Sequence, residues 1–148
     1  TIMRFPKRPS SRLLLVGSTK RILLFQFTLP TRVFWATPGG SLKEGEDFEQ
    51  AACRELLEET GLVLLDAGPQ IATHEFSMQL PDGEYVVADE RFFLVRVENE
   101  AISRQGCTPS ERQFITDVKW WTLSELSMTS ETVFPENLLD ILTVAGVT

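Results

Sequence analysis

Glutamates at positions 55, 58 and 59 sit inside a helix-forming run bounded by glycines at 40 and 61. Glu46 and Asp47 suit the positive N-terminal end of a helix, and Gly61 is a natural C-terminal stop, so the pattern predicts a helix over residues 47–60. At about 100° per residue, Glu55, Glu58 and Glu59 fall within one arc of roughly 100°. Cys53, Leu56 and Leu57 occupy another arc, expected to face a core. Ala51 and Ala52 lie one turn below the carboxylates and leave space above that face.

Carboxylates at i, i+3 and i+4 have Cβ atoms about 5–6 Å apart and repel by only a few tenths of a kcal/mol on a solvated helix. In a partly buried cleft the repulsion rises to about 3 kcal/mol per pair, taking roughly 5 Å and an effective dielectric of about 20. A divalent cation turns that repulsion into attraction. Oxygen-only ligands favour a hard ion, Mg²⁺ first and Mn²⁺ second. Arg54, one residue before Glu55 and four before Glu58, can pair with a glutamate and fix its orientation.

The 148 residues fit one domain large enough to bury a core, and 43% hydrophobic with 24% charged residues is ordinary for a globular protein. No apolar run approaches the roughly 20 residues of a membrane span, so no membrane partner is expected. Arg4, Lys7, Arg8 and Arg12 precede an apolar stretch too short for a signal peptide and without a small-residue cleavage pattern. That favours a cytoplasmic setting. The net charge of −7 argues against tracking a nucleic-acid polymer by overall field. It does not exclude a phosphate-bearing small molecule, because a bound metal can reverse the local sign. Cys53 and Cys107 have no metal-ligand spacing and read as free thiols in a reducing compartment.

With no repeat or linker-like break, residues 1–10 read as a basic N-terminal lead-in and residues 11–148 as one domain. Residues 12–17 and 22–27 read as a β-hairpin. Residues 28–37 read as a longer loop containing Pro30, Phe34 and Trp35, which ends in Pro38, Gly39 and Gly40. Strands are predicted over residues 71–79 and 85–97, joined by a Pro81, Asp82, Gly83 turn, and over residues 113–121. Residues 122–126 read as a capped helical turn and residues 135–144 as a final helix. Strands with helices interspersed out of strict alternation imply an α/β fold with a mixed sheet packed between helices.

The stretch over residues 40–62 matches without a gap the signature of the Nudix hydrolases. Its elements are Gly40, Glu46, Arg54, Glu55, the aliphatic Leu56, Glu58, Glu59, Gly61 and the aliphatic Leu62. Seven fixed identities at average residue usage give a chance match on the order of one in 10⁸ per register. Trp35 to Gly40 resemble the family's approach to its helix, while Trp120 to Leu126 and the run from Pro135 resemble its closing strand and last helix. The chain therefore resembles the MutT-like nucleotide pyrophosphohydrolases of that family, over residues 11–145.

The resemblance implies the Nudix fold, in an α/β/α arrangement, and hydrolysis of a nucleoside diphosphate linked to another group with Mg²⁺ or Mn²⁺. Carried over by position, Glu55 and Glu59 are the principal metal ligands. Glu58 is a further ligand or holds a metal-bound water, and the Gly39 carbonyl completes the sphere. Glu46 contacts a metal-bound water or anchors the loop. The metal neutralises phosphate charge and activates water for in-line attack. The general base lies either on the motif helix or at Glu111, nine residues before Trp120.

For the other end of the substrate, Phe34, Trp35, Phe76 and Tyr85 are able either to stack a base or to pack a core. His74 reads as a plain strand residue. Asn137 occupies the place of a purine-reading Asn in nucleotide-pool-cleaning relatives, or simply opens a helix. A (d)NTP or an oxidised dNTP, cut to the monophosphate and pyrophosphate, is the first substrate reading. ADP-ribose or a nucleotide sugar is the alternative, because Phe76 stands where many ADP-ribose-cleaving relatives carry proline. A non-catalytic nucleotide sensor is the alternative from a different class, although no motif glutamate is missing. The expected partner is a small nucleotide acting on a monomer or homodimer. Glu111→Gln separates the two assignments of the base: a loss of kcat below about tenfold leaves the base on the helix, and a loss of roughly 10²–10⁴-fold moves it to Glu111.

Overall fold

The structure, a computed structural model, describes residues 5–63, 67–80, 82–103, 106 and 113–147. Among them the chain forms β1 (Lys7–Val16), β2 (Ile22–Leu29), β3 (Arg32–Ala36), β4 (Gly39–Ser41), α1 (Phe48–Thr60), β5 (Gln70–Gln79) and β6 (Tyr85–Arg96). It continues with β7 (Ile115–Trp121), α2 (Leu123–Met128), β8 (Val133–Phe134) and α3 (Leu138–Val144). The strands join one mixed sheet in the order β5, β6, β1, β2, β3, β8, with β4 beside β1 and β7 beside β2. β1 runs parallel to β6 and β3 parallel to β8, and the remaining pairings are antiparallel.

The two central strands are apolar on both faces because both faces are covered. Leu13, Leu15, Leu23 and Phe25 pack with Ala52 and Leu56 of α1 on one side. Leu14, Val16, Ile22 and Leu24 pack with Leu126 of α2 and with Leu138, Ile141 and Leu142 of α3 on the other. The expected sheet between helices is therefore realised by the parity of two leucine-rich strands. No helix among the described residues is long and apolar enough to cross a membrane.

The motif helix begins and ends where its caps dictate. The Asp47 carboxylate accepts from the Gln50 N–H at 2.7 Å and the Gln50 side-chain oxygen accepts from the Asp47 N–H at 2.9 Å, a capping box. Gly61 closes it at φ 76°, its N–H donating to the Leu57 carbonyl at 2.9 Å. α2 opens on a second capping box, between Thr122 and Glu125. The Thr122 backbone N–H, and then Lys119, hold the Glu125 carboxyl down at about 2.

Three expectations change. Residues 28–37 do not form a loop: β2 and β3 pair from Phe25 with Ala36 to Leu29 with Arg32, turning at Pro30 and Thr31. The alternation was hidden because this hairpin projects past the core, leaving Arg32 and Val33 exposed. β1 starts at Lys7 rather than Arg12, since a backbone ladder to β6 extends from Lys7 opposite Val87, which a basic, proline-containing sequence does not announce. α1 is also rotated from its expected orientation. Leu57 is 48% exposed, whereas Ala51, Ala52, Glu55, Leu56, Glu59 and Thr60 are buried.

Two leucines separate core from surface. Leu142→Ala removes a fully buried side chain and should lower unfolding free energy by about 2–5 kcal/mol. Leu57→Ala should change it by less than about 0.5 kcal/mol, as read by urea denaturation. A large loss at Leu57 would contradict the helix orientation.

Candidate active site

The backbone before α1 and the inward side of α1 build the site together. β1 pairs with β2 only near Val16 and with β4 at Ser10, Ser11 and Arg12, which seats Gly39 and Gly40 alongside Arg12 and Ser11. The Ser11 hydroxyl donates to the Phe48 carbonyl at 2.6 Å, tying the first turn of α1 to β1. Gly39 has φ +141°, and a Cβ there would lie 2.1 Å from the Ser11 carbonyl oxygen, so only glycine fits. Its N–H faces both carboxylate oxygens of Glu59 at 3.3 Å. A Cβ on Gly40 would lie 2.4 Å from a carboxylate oxygen of Glu55. The two glycines therefore form the wall against which the two buried glutamates rest.

Glu55 is 6% and Glu59 3% exposed. Arg54 answers much of this charge. Its Nε donates to Glu46 at 2.7 Å and one Nη to the other Glu46 oxygen at 3.0 Å, a bidentate pair. The other Nη donates to Glu55 at 2.9 Å and to Glu58 at 3.2 Å, and Arg54 also reaches the Ser41 carbonyl at 3.0 Å. The bond from Arg54 lowers the Glu46 carboxyl below its ordinary value, and Glu46 in turn raises the guanidinium. Glu46 also accepts from the Lys43 N–H at 2.7 Å, so this glutamate holds the loop before α1 to the helix.

The donor set is oxygen alone, and two of its carboxylates are more than nine-tenths buried, an arrangement that a hard divalent cation would stabilise. The fit lies in donor chemistry and burial. Among the described residues no three acidic, His or Cys side chains converge as a ready-made cage, because Arg54 draws Glu55 and Glu58 towards itself while Glu59 rests on the Gly39 N–H.

On the other side of the glycine wall lies a cavity of about 320 Å³ bounded by Arg8, Arg12, Phe27, Phe34, Met78 and Glu90 together with Gly39 and Gly40. Phe34 thus lines a cavity, stacked on Phe27 at 5.4 Å. Trp35 does not: it is 4% exposed, edge-on to Trp121 in the core, with its indole N–H on Glu131. Its neighbour parity sends it to the opposite face from Phe34. Asn137 precedes α3 with an exposed side chain that makes no cap bond, and it is not among the cavity residues. Phe76 and Tyr85 are exposed, and Tyr85 stacks on Phe5. His74 is half-buried in β5. Glu111 and Cys107 lie outside the described residues. Arg8, Arg12, Phe27, Met78 and Glu90 were not singled out from the sequence. The available signal was a lone charge at an inward position, Arg12 before Leu13 and Leu14, and Glu90 before the apolar end of β6.

A NUDIX domain family model matches residues 6–140. The chain belongs to the Nudix family. This Nudix protein is 33% identical over 107 residues to an RNA pyrophosphohydrolase of Sphingopyxis alaskensis, a match that covers 66% of this chain and 67% of that one. Two further curated Nudix relatives are matched over only 43% of their own length. Among solved structures, a MutT protein from Methanosarcina mazei Go1 has a TM-score of 0.68 at 19% identity, covering 96% of this chain and 94% of that chain. The NUDIX domain of Shewanella oneidensis NrtR, solved with ADP ribose, has a TM-score of 0.67 at 21% identity, covering 99% and 88%. At such identities the structural likeness shows the fold, which is the expected α/β Nudix fold. The family and the relatives' names support a pyrophosphohydrolase enzyme, and Nudix hydrolases generally use divalent metal ions.

The two glycines should respond differently to alanine. Gly39→Ala meets backbone at a positive φ and should destabilise the protein by roughly 2–4 kcal/mol. Gly40→Ala meets only the end of a flexible carboxylate. It should stay within about 1 kcal/mol of the parent yet lose at least ~10-fold in turnover as Glu55 is displaced. Parental turnover in Gly40→Ala would separate Glu55 from the chemistry.

Proposed function

We propose that this Nudix enzyme hydrolyses the diphosphate linkage of a nucleoside triphosphate or oxidised dNTP, releasing the monophosphate and pyrophosphate. The observation that carries the reading is the shared wall. Gly39 and Gly40 contact buried Glu59 and Glu55 on one side and bound a nucleoside-sized cavity on the other. A base and sugar held in the cavity would present their phosphates across the glycines to the carboxylates.

Glu55 and Glu59 are the residues that would hold the divalent ion, Mg²⁺ or Mn²⁺, with Glu58 at the more exposed edge and the Gly39 carbonyl adjacent. The ion would supply neutralisation of diphosphate charge and polarisation of phosphorus. Arg54 orients Glu55 and Glu58 through one guanidinium nitrogen and anchors itself on Glu46, so it acts through the glutamates. Glu58, less buried than Glu55 and 3.9 Å from the Lys43 ammonium, would orient or accept a proton from the attacking water. Phe34 and Phe27 offer an aromatic face to a base.

One relative's name favours a second reading. The Sphingopyxis enzyme is an RNA pyrophosphohydrolase, and a 5′-triphosphorylated RNA end presents the same triphosphate chemistry. The net charge of −7 favours the free nucleotide.

Release of pyrophosphate or phosphate should be measured with dNTPs, oxidised dGTP, a 5′-triphosphorylated oligoribonucleotide and ADP-ribose, with Mg²⁺, Mn²⁺ or chelator. Metal-dependent pyrophosphate release from nucleoside triphosphates is expected. Glu59→Gln should reduce kcat by at least ~100-fold with an unchanged melting temperature. Metal-independent cleavage, or near-normal turnover in that variant, would overturn the assignment.

A further inference from the structure

One edge of the sheet lacks the features that ordinarily stop it from taking on another strand. An unpaired strand offers a row of backbone donors and acceptors, and proteins blunt it with brevity, proline, charge or a bulge. β8, at one end, has only Val133 and Phe134 and runs into Pro135. β7, whose second edge is unpaired among the described residues, carries Asp117 and Lys119. β5, at the other end, is 10 residues long and among the described residues pairs with β6 alone. It contains no proline, lysine or arginine, and Glu75 is its one carboxylate. Its register shift lies between Gln70 and Ala72, so the run from Ala72 onwards is regular. Phe76, at 39% exposure, stands in the middle of that run.

The hairpin fixes which backbone groups are free. The Leu80 N–H donates to the Glu84 carbonyl at 2.8 Å, which extends the ladder as far as Leu80. Bonding alternates along an antiparallel pair, so the even-numbered residues from Leu80 back to Ala72 turn their backbone groups to β6. Thr73, Glu75, Ser77 and Gln79 turn theirs outward. The side chains divide in the same way. Ala72, His74, Phe76, Met78 and Leu80 share the face that joins the core at Ala72, with the His74 and Phe76 rings 5.3 Å apart. Thr73, Glu75, Ser77 and Gln79 form a polar row on the other face.

We propose that β5 pairs antiparallel with β5 of a second copy of this chain, about a two-fold axis at Phe76. A two-fold axis between antiparallel copies of one strand sets one residue directly against itself. With Glu75 in that place two carboxylates would face each other, which is destabilising. Phe76 is the midpoint of the regular run from Ala72 to Leu80, so this register engages every outward backbone group. Thr73 bonds Gln79 of the second copy, and Glu75 bonds Ser77 of the second copy. Phe76 then meets its counterpart as a non-hydrogen-bonded pair, the closest kind, with Cα atoms about 4.5 Å apart. On the same face Met78 meets His74, and Leu80 meets Ala72, of the second copy. On the other face polar row meets polar row, and each Glu75 keeps the Lys7 ammonium of its own chain at 3.8 Å. Met78 lines the cavity, so the second copy brings its His74 to the cavity rim. The pairing is independent of which nucleotide the site takes.

Sedimentation equilibrium of the whole chain, from about 1 µM to about 1 mM, tests the pairing. A single pair of strands is a small contact, so the parent should dimerise with a Kd on the order of 10–100 µM. Phe76→Lys, which sets like charges on the axis, should stay monomeric throughout with an unchanged melting temperature. Ser77→Pro removes an outward donor and none from the ladder to β6, and should weaken dimerisation at least ~10-fold. Thermal melts check both variants, and a fold defect in one leaves the other to decide. Phe76→Cys reads the register: mild oxidation should give a covalent dimer. Thr73→Cys, opposite Gln79 of the second copy, should cross-link no more than the parent. A parent that is monomeric at about 1 mM, the outcome expected if the edge takes a strand from a different protein, overturns the proposal. Open-ended oligomers, or a dimer that both folded variants retain, also overturn it. Cross-linking of Thr73→Cys in preference to Phe76→Cys overturns the register.

Discussion

Burying Glu55 and Glu59 on one side of a single helix is unfavourable unless their charge is answered: the Gly39 N–H faces Glu59, and Arg54 answers the charge at Glu55. Its guanidinium is shared among Glu46, Glu55 and Glu58, with a further bond to the Ser41 carbonyl. The bidentate contact to Glu46 is the anchor, because Glu46 is itself pinned by the Lys43 N–H. A lysine would keep the charge and lose the geometry, since an ammonium cannot present the planar fork that reaches both Glu46 oxygens while another nitrogen serves Glu55 and Glu58. The carboxylates are therefore aimed by a contact that lies outside the reacting atoms. The loop before α1, the helix and β4 are joined by this one side chain.

The same arrangement depends on how β1 changes partners. It pairs with β6 along its whole length, while its other edge meets β2 near Val16 and β4 from Arg12 back to Ser10. At that handover the strand brings Gly39 within reach of backbone on one side and Glu59 on the other. A side chain at Gly39 would separate β4 from β1, and one at Gly40 would move Glu55. The glycines are thus required by close approach on both faces, and the positive φ of Gly39 adds to that requirement.

Legibility from sequence followed the range of the interaction involved. The motif helix, its caps and the acidic face were readable because each depends on residues within about one or two turns. The two central strands were readable from their leucine runs. The hairpin at residues 28–37 was missed because its alternation is not reinforced by burial, with Val33 exposed and only Trp35 in the core. The orientation of α1 was misjudged at Leu57 since an acidic helix side is ordinarily solvated. Here β4 covers Glu55 and Glu59, so the apolar Leu57 is left outside. Trp35 read equally well as a stacking or a core residue, and only the pairing of β3 with β2 and β8 separates it from Phe34. Arg12 and Glu90 are 78 residues apart. A parallel pairing over that distance has no local signature, so their meeting in the cavity had no trace in either segment alone.

This division has a consequence for how the site can differ from one chain to another. The groups that would act on the diphosphate lie within residues 39–59, where a change at Gly39, Gly40, Glu46, Asp47 or Arg54 disturbs a cap, the Arg54 contacts or the glycine wall. The cavity side chains come from β1, β2, β3, β5 and β6, each projecting from a strand whose backbone pairing does not depend on its identity. Replacing Glu90 or Met78 would change the lining of the cavity without removing a backbone bond of the ladder between β6 and its neighbours. Changing Glu59 or Arg54 alters the charge balance that permits burial of the acidic face. On the proposed reading, leaving-group choice and bond cleavage would be separated at Gly39 and Gly40, which are small enough to let a substrate contact both sides. A complete motif then points to the reaction class, while the substrate would be specified by side chains whose only sequence signal is a polar residue at an inward strand position.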